Sequence, residues 1–159
     1  MRRSVYSEQS ELCVIVDASV AALVFAESPD PDFLPVFEWL HNGKGHLVFG
    51  GRLADELLRM NAPWGYVLQL WRRGRASRVD DQEAVAEEKL VRGTGLCESD
   101  DPHVIALARL SGARTLCSRD KKLHEDFKKK QLIDKPRGVV YQAAGHRNLL
   151  RHTSSCGRL

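Results

Sequence analysis

Short apolar runs alternate with longer amphipathic stretches along most of this chain. The apolar runs contain few polar side chains, a pattern typical of strands that are buried on both faces of a sheet. They end at polar residues or at glycines, which stop regular structure. The pattern predicts four strands, at residues 12–16, 46–49, 114–118 and 138–141.

Between the strands, apolar residues recur at helical spacing. Proline and glycine mark several helix ends, such as Pro29 to Pro31 and Asn42-Gly43. The predicted helices cover residues 18–25, 33–40, 53–60, 66–71, 79–90, 104–110, 121–130 and 143–150. Strands that alternate with helices form βα units, so the sequence predicts an α/β fold with helices on both faces of a central parallel sheet.

The chain length and composition fit one ordinary globular domain. The chain has 159 residues, of which 43% are hydrophobic and 28% charged. We expect a single domain over residues 1–150 and a flexible tail over 151–159. No apolar run approaches the roughly 18 residues of a membrane span, and no long apolar segment follows the basic residues at the start. These features favour a cytoplasmic protein without a membrane anchor.

The charge and the cysteine content of the chain give little further indication of its function. The net charge of +3 is too small to indicate a nucleic-acid partner, and the basic clusters at 72–75 and 128–130 are most simply solvated helix faces. Four cysteines, at positions 13, 97, 117 and 156, form no Cys-x-x-Cys pair. We therefore expect reduced structural thiols rather than a zinc site.

Acidic residues stand close to the ends of the predicted strands. Asp17 ends the first strand, and Glu56 lies in the helix after the second. Asp101 opens the helix before the third strand, and Asp120 comes two residues after that strand. Ligands of open parallel sheets bind beyond the carboxyl ends of the strands. Four carboxylates gathered there repel one another unless a cation neutralises them, and an oxygen-only ligand set suits Mg²⁺ or Mn²⁺.

Simpler roles are available for each of these residues. Every one of the three aspartates precedes a helix, where Asp is a preferred N-cap, and Asp101 is followed by the Pro102 expected at a helix start. Glu56 can pair with Arg52 on the helix surface. His103, two residues after Asp101, can touch the same cleft, but a surface or helix-packing role is the simpler interpretation.

Four segments resemble motifs of the PIN domain family. Residues 14–19 are similar to its opening strand, and residues 53–57, Leu-Ala-Asp-Glu-Leu, resemble its second acidic motif. Residues 101–108 resemble the third, an Asp followed by a helix rich in Ile, Ala and Leu. Residues 116–123 resemble the fourth, a strand ending in Ser or Thr two residues before an Asp. The motifs occur in the family's order.

The resemblance implies a three-layer α/β/α sandwich with the activity of a metal-dependent nuclease on RNA, and sometimes on flapped or single-stranded DNA. It implies that the catalytic and metal-binding residues are Asp17, Glu56, Asp101 and Asp120, with Ser19 and Ser118 as hydroxyl residues beside the metal. Asp100 competes with Asp101, although the spacing to the helix favours Asp101. Asp126 is interpreted as a surface or auxiliary acid.

Basic residues beside the fourth motif are candidates for binding phosphates. Arg119, Lys121 and Lys122 adjoin Asp120, and the clusters at 72–75 and 128–130 could extend the track. Contacts of this kind do not identify a base sequence.

Two further questions concern partners and catalysis. Many PIN proteins, including the VapC-type toxins, are bound by an antitoxin protein, and PIN domains often form homodimers. The resemblance therefore implies an antitoxin and a second copy of the chain as possible partners. The main alternative to a nuclease is a non-catalytic PIN-like domain that binds nucleic acid or protein, although the complete set of acids argues against it. A phosphatase of the haloacid-dehalogenase kind needs a second Asp where this chain has Ser19.

Overall fold

Five parallel strands form the central sheet of the protein, as seen in a computed structural model that describes residues 12–151. The strands are β1 (Leu12–Val16), β2 (Gly45–Gly50), β3 (Ala76–Val79), β4 (Thr115–Cys117) and β5 (Val139–Tyr141). Their order across the sheet is β3-β2-β1-β4-β5, and every neighbouring pair is parallel. The chain therefore moves outward from β1 to β3 and then returns to place β4 on the other side of β1.

Helices connect the strands and cover the sheet. They are α1 (Ala18–Val24), α2 (Leu34–His41), α3 (Gly51–Leu58), α4 (Asn61–Arg72), α5 (Asp81–Gly93), α6 (Pro102–Ser111), α7 (Lys121–Phe127) and a 3₁₀ helix (Ala144–Arg151). Helix α6 packs against α5 and α3, and α3 also contacts β2. The predicted three-layer α/β/α fold with a central parallel sheet is confirmed.

The hydrophobic core explains why the strands could be found in the sequence. Val14, Ile15, Val48 and Phe49 are completely buried in the two central strands. Burying such a side chain contributes about 1.5–3 kcal/mol each, so the uninterrupted apolar runs belong in the middle of the sheet. Helix α6 is also buried along most of its length, because it lies between α3 and α5.

The prediction missed one strand and misplaced several helix ends. Strand β3 was overlooked because its sequence, Ala-Ser-Arg-Val, carries two polar residues, and Val79 was assigned to the following helix. As an edge strand, β3 leaves Ser77 and Arg78 half-buried, so it has no continuous apolar run. Helix α7 ends at Phe127 rather than at residue 130, and the last helix is 3₁₀.

Two other predictions concern the tail and the cysteines. Arg151 belongs to the 3₁₀ helix, and the rest of the predicted tail lies outside the described residues, as does Cys156.

Cys97 and Cys117 are free thiols, as expected. Cys13 is disulfide-bonded, so the expectation of a reduced thiol was wrong for this residue. The sequence could not show this, because a buried apolar strand position accommodates a free thiol and a disulfide-bonded cysteine equally well. Within residues 12–151, no helix combines the length and apolarity needed to cross a membrane.

A sharp turn at two glycines leads directly from β2 into α3. Gly50 has a φ of 149° and a ψ of −179°, and Gly51 has a φ of 51°. A Cβ on Gly50 would lie only 3.0 Å from the backbone N and O of Val79. Only glycine adopts this backbone conformation readily. The turn starts α3 at the carboxyl edge of the sheet and so brings Glu56 close to that edge.

Candidate metal centre

The predicted acids lie where the strand order reverses. Strands β1 and β4 are neighbours, and Asp17 and Ser118 follow their last residues directly. The Asp17 N–H donates to the carbonyl of Cys117 over 2.9 Å, which joins the two strand ends. In open α/β sheets, the crevice at such a switch point is the usual ligand-binding place.

Asp17 is almost completely buried, with 4% of its surface exposed. Its Oδ2 accepts hydrogen bonds from Ser19 Oγ at 2.7 Å and from Ser118 Oγ at 3.1 Å. Its side chain makes no hydrogen bond to the start of α1, so the N-cap interpretation is wrong for this residue. The two hydroxyls instead fix the orientation of the carboxylate, and the predicted place of Ser19 and Ser118 beside a metal stays a prediction.

Asp120 does act as an N-cap. Its Oδ1 accepts the N–H groups of Lys122 at 3.0 Å and Leu123 at 3.3 Å, at the start of α7. Its own N–H donates to Ser118 Oγ over 3.0 Å. Ser118 therefore connects the backbone of Asp120 with the carboxylate of Asp17, and the two acids share one hydroxyl.

Asp101 shows that the four acids lie in one electrostatic environment. Its side chain does not cap α6, although the residue occupies the N-cap position. The pKa of its carboxyl is raised from 3.8 to about 6, first by burial and then by the negative charge of Asp17. Glu56 and Asp120 raise this pKa further, whereas His103 opposes the shift. The field at Asp101 thus contains all the other predicted acids.

Glu56 and His103 complete the cluster. His103 Nε2 lies 3.2 Å from Glu56 Oε1, and His103 Nδ1 lies 4.0 Å from Asp101 Oδ1. Glu56, Asp101 and His103 each offer one ligand atom, and these atoms all lie within 4.8 Å of one another. The expected pair between Glu56 and Arg52 does not form, because Arg52 instead binds Glu88 at 2.5 Å.

His103 is only 3% exposed, so a surface role is wrong, whereas its burial in α6 agrees with a helix-packing role. Its ring also faces two carboxylates. Helix α6 is buried on nearly all sides, and its neighbours Pro102 and Val104 are buried as well. A polar side chain inside such a helix needs polar partners, and this requirement was the available signal.

Asp126 is completely buried, so its interpretation as a surface residue was wrong, whereas an auxiliary role fits. It accepts the N–H of Glu98 at 2.8 Å, the N–H of Ser99 at 3.0 Å and Ser99 Oγ at 2.7 Å. Ser99 Oγ in turn accepts the N–H of Asp101 at 3.2 Å. Helix α7 thereby fixes the loop that carries Asp101, while Asp100 is exposed.

The basic residues have mixed surroundings. Arg119 lies 3.5 Å from Asp32 and stacks over the Phe33 ring at 5.1 Å, and its side chain is 47% exposed. Lys121 and Lys122 are exposed in the first turn of α7. In the cluster at 128–130, Lys128 and Lys130 are exposed as expected, whereas Lys129 is tied to the Leu96 carbonyl and to Glu98.

A groove of about 540 Å³ opens beside His103, between α3 and α5. Arg52 and Arg92 lie on its wall, and both guanidinium groups donate to the same oxygen of Glu88. The sequence analysis assigned Arg52 to a pair with Glu56 and did not single out Arg92, because Glu88 lies 36 positions from Arg52 in the chain. The groove places fixed cations near the acid cluster.

The donor set fits a hard divalent cation. Carboxylate oxygens, which Mg²⁺ and Mn²⁺ prefer, dominate it, and the pKa of Asp101 is raised first by burial and then by the negative charge of Asp17. Ligand atoms of Glu56, Asp101 and His103 lie close enough together to share such an ion, and the charges of Asp17 and Asp120 act on Asp101.

Comparisons with known proteins bear on the fold. No protein-family model matches the chain, and a search of curated proteins finds no significant match. Among solved structures, the chain is similar to one in VapBC2 from Rickettsia felis bound to a DNA fragment from their promoter. The two share 14% identity with a TM-score of 0.50, over 83% of this chain and 99% of the other. At this identity, the similarity supports the α/β architecture described above.

Proposed function

We propose that this chain is a metal-dependent endoribonuclease that hydrolyses phosphodiester bonds. The observation that carries the proposal is the surroundings of Asp101. Its ligand oxygen lies within 4.8 Å of ligand atoms of Glu56 and His103, and the pKa of its carboxyl is raised first by burial and then by the charges of Asp17, Glu56 and Asp120. Local N-capping does not account for this gathering, since two of the three aspartates make no side-chain cap. The motif resemblance to PIN nucleases points to the same four residues.

The chemistry needs an activated water and a neutralised transition state. Bound Mg²⁺ or Mn²⁺ supplies both, because such an ion lowers the pKa of water and offsets charge on the phosphoryl oxygens. Asp17 and Asp101 are the direct ligands in this proposal, and Glu56 and Asp120 complete the site. Ser19 and Ser118 hold the carboxylate of Asp17 in place, and Ser99 fixes the backbone of Asp101.

Basic side chains on either side of the acids are proposed to hold the RNA backbone. Arg119, Lys121 and Lys122 lie beside Asp120, and Arg52 and Arg92 lie on the wall of the groove next to His103. Because such contacts are made to phosphates, binding should weaken steeply as the salt concentration rises. DNA is the second substrate to be tested, since phosphate contacts do not separate the two.

Cleavage of labelled RNA and single-stranded DNA of the same sequence tests the proposal. We expect Mn²⁺ or Mg²⁺ to support RNA cleavage that leaves 5′-phosphate and 3′-hydroxyl ends, and EDTA to abolish it. Asp17→Asn should reduce cleavage by about 100-fold or more, because it removes a charge from the metal site. The exposed neighbour Asp100 provides the matched control, and Asp100→Asn should cleave like the unchanged chain.

Three results would contradict the proposal. Cleavage that persists in EDTA would exclude the metal, and cleavage unchanged in Asp17→Asn would exclude the acid cluster. RNA binding without cleavage in any divalent ion would instead support a non-catalytic PIN-like domain.

We further propose that the chain is the toxin of a toxin–antitoxin pair. The support is the similarity in fold to a chain of VapBC2, the complex bound to a DNA fragment from their promoter. Expression of the chain in a bacterial host should arrest growth, whereas expression of Asp17→Asn at the same level should not. Co-expression of a cognate antitoxin should restore growth, and an arrest equal in both variants would contradict the toxin role.

A further inference from the structure

One ring nitrogen of His103 has no hydrogen-bond partner despite its burial. His103 is 3% exposed, and its Nδ1 is a buried nitrogen without a hydrogen-bond partner among residues 12–151. A buried polar atom without a partner is costly, so it is rare and calls for a reason. The groups around the imidazole ring of His103 provide that reason.

The other ring nitrogen fixes the chemistry of Nδ1. His103 Nε2 lies 3.2 Å from Glu56 Oε1, and a carboxylate oxygen can only accept a hydrogen bond. In the neutral state of the ring, which is the state that binds a metal ion, the proton therefore belongs on Nε2, which donates to Glu56. Nδ1 is left with a lone pair, which is the state that binds a metal ion.

The lone pair of Nδ1 lies on the side of the acid cluster. Asp101 Oδ1 is 4.0 Å from Nδ1, which is too far for a direct hydrogen bond. Metal–nitrogen and metal–oxygen bonds are each about 2.0–2.2 Å long, so two ligands of one ion lie at most about 4.4 Å apart, and this separation is within that limit. A histidine that donates its second nitrogen to a carboxylate is also the common arrangement of metal-binding histidines.

We propose that His103 Nδ1 is a nitrogen ligand of the divalent cation in this site, oriented by Glu56, and that it makes the site prefer Mn²⁺ to Mg²⁺. The inference rests on the proposed function, in which the same acids hold the ion. Imidazole binds Mn²⁺ and other transition metals, whereas Mg²⁺ takes oxygen ligands almost exclusively. A packing role would give Nδ1 no reason to remain unpaired beside two carboxylates.

Electron spin-echo spectroscopy of bound Mn²⁺ tests the assignment without measuring activity. The full chain loaded with Mn²⁺ should show modulation from a directly bound ¹⁴N nucleus. Labelling all histidines with ¹⁵N should change that modulation to the ¹⁵N pattern, and this arm needs no variant that might misfold. His103→Gln should remove the modulation, whereas the exposed His146 offers a matched control, His146→Gln, that should retain it.

Metal titration provides the second readout. We expect His103→Gln to weaken Mn²⁺ binding by about 10–100-fold and Mg²⁺ binding by less than about threefold, because only the nitrogen ligand is lost. Mn²⁺ that binds without nitrogen modulation, or equal losses for both ions, would overturn the role of His103 and leave the proposed nuclease intact. Failure of the unchanged chain to bind Mn²⁺ at all would overturn both proposals.

Discussion

Replacing Asp101 by asparagine should stabilise the metal-free protein at neutral pH. The pKa of this carboxyl is about 6 in the folded chain and ordinarily 3.8, so folding favours its protonated form. The folded state therefore takes up protons, and its stability falls as the pH rises from about 4 through 6. The Asp101→Asn side chain remains neutral and escapes this loss.

The size of the effect follows from the shift in pKa. Each unit of pKa corresponds to about 1.4 kcal/mol, so the change from 3.8 to about 6 sets an upper value near 3 kcal/mol. The Asp101 side chain is 24% exposed, and solvent screening reduces the effect, so we expect about 2 kcal/mol at pH 8. At pH 4.5 the unfolded carboxyl is already largely ionised, so about a third of the loss remains and the difference should fall to about 0.7 kcal/mol.

Urea unfolding in EDTA at both pH values measures this difference. Asp100→Asn is the matched control, because Asp100 is the exposed neighbour, and its effect should not change with pH in the same way. Saturating Mn²⁺ should reverse the order at pH 8 and make the unchanged chain more stable than Asp101→Asn. A variant that is less stable than the unchanged chain in EDTA at pH 8, or a difference independent of pH, would refute the reasoning.

Three further predictions concern the supports of the site. Asp126→Asn should lower the free energy of unfolding by about 2–4 kcal/mol in urea titrations, because an amide nitrogen cannot accept the hydrogen bonds from residues 98 and 99. The folded variant should also bind Mn²⁺ more weakly in calorimetry. Unchanged stability would contradict the supporting role of Asp126. Gly50→Ala should lower the free energy of unfolding by about 3 kcal/mol in the same titrations, because the backbone conformation of Gly50 and its contact with Val79 exclude a Cβ. A decrease below about 0.5 kcal/mol would contradict this role of the turn. Mn²⁺ at 100 times its dissociation constant should stabilise the chain by about 2.7 kcal/mol in thermal melts, and a melting temperature unchanged by the ion would argue against binding.

The sequence predicted four of the five strands of the sheet, including the edge strand β5, and missed the edge strand β3. Strands β1 and β2 lie inside the sheet, where the buried side chains are mostly apolar. Their apolar runs are therefore easy to recognise in the sequence. Strand β3 pairs on one side only, so Ser77 and Arg78 are tolerated and no periodicity distinguishes it from a loop. Helix ends such as that of α7 depend on tertiary contacts that the local sequence does not record.

The candidate site was predicted in part for a similar reason. Asp17, Asp101 and Asp120 stand next to strand and helix ends, where a parallel sheet makes their convergence foreseeable. The roles of His103 and Asp126 depend on partners far away in the chain, Glu56 and Ser99 respectively. Local spacing carries no information about such pairs, so only the folded arrangement revealed them.

The most direct test of the account is a crystal structure of the full chain grown or soaked with Mn²⁺, with anomalous scattering recorded at the manganese edge. The account predicts an anomalous peak among the side chains of Asp17, Glu56, Asp101 and Asp120, within about 2.3 Å of the Asp101 carboxylate. An anomalous map without a peak there, with those carboxylates bound only to protein groups, would contradict the claim that these acids hold a divalent cation.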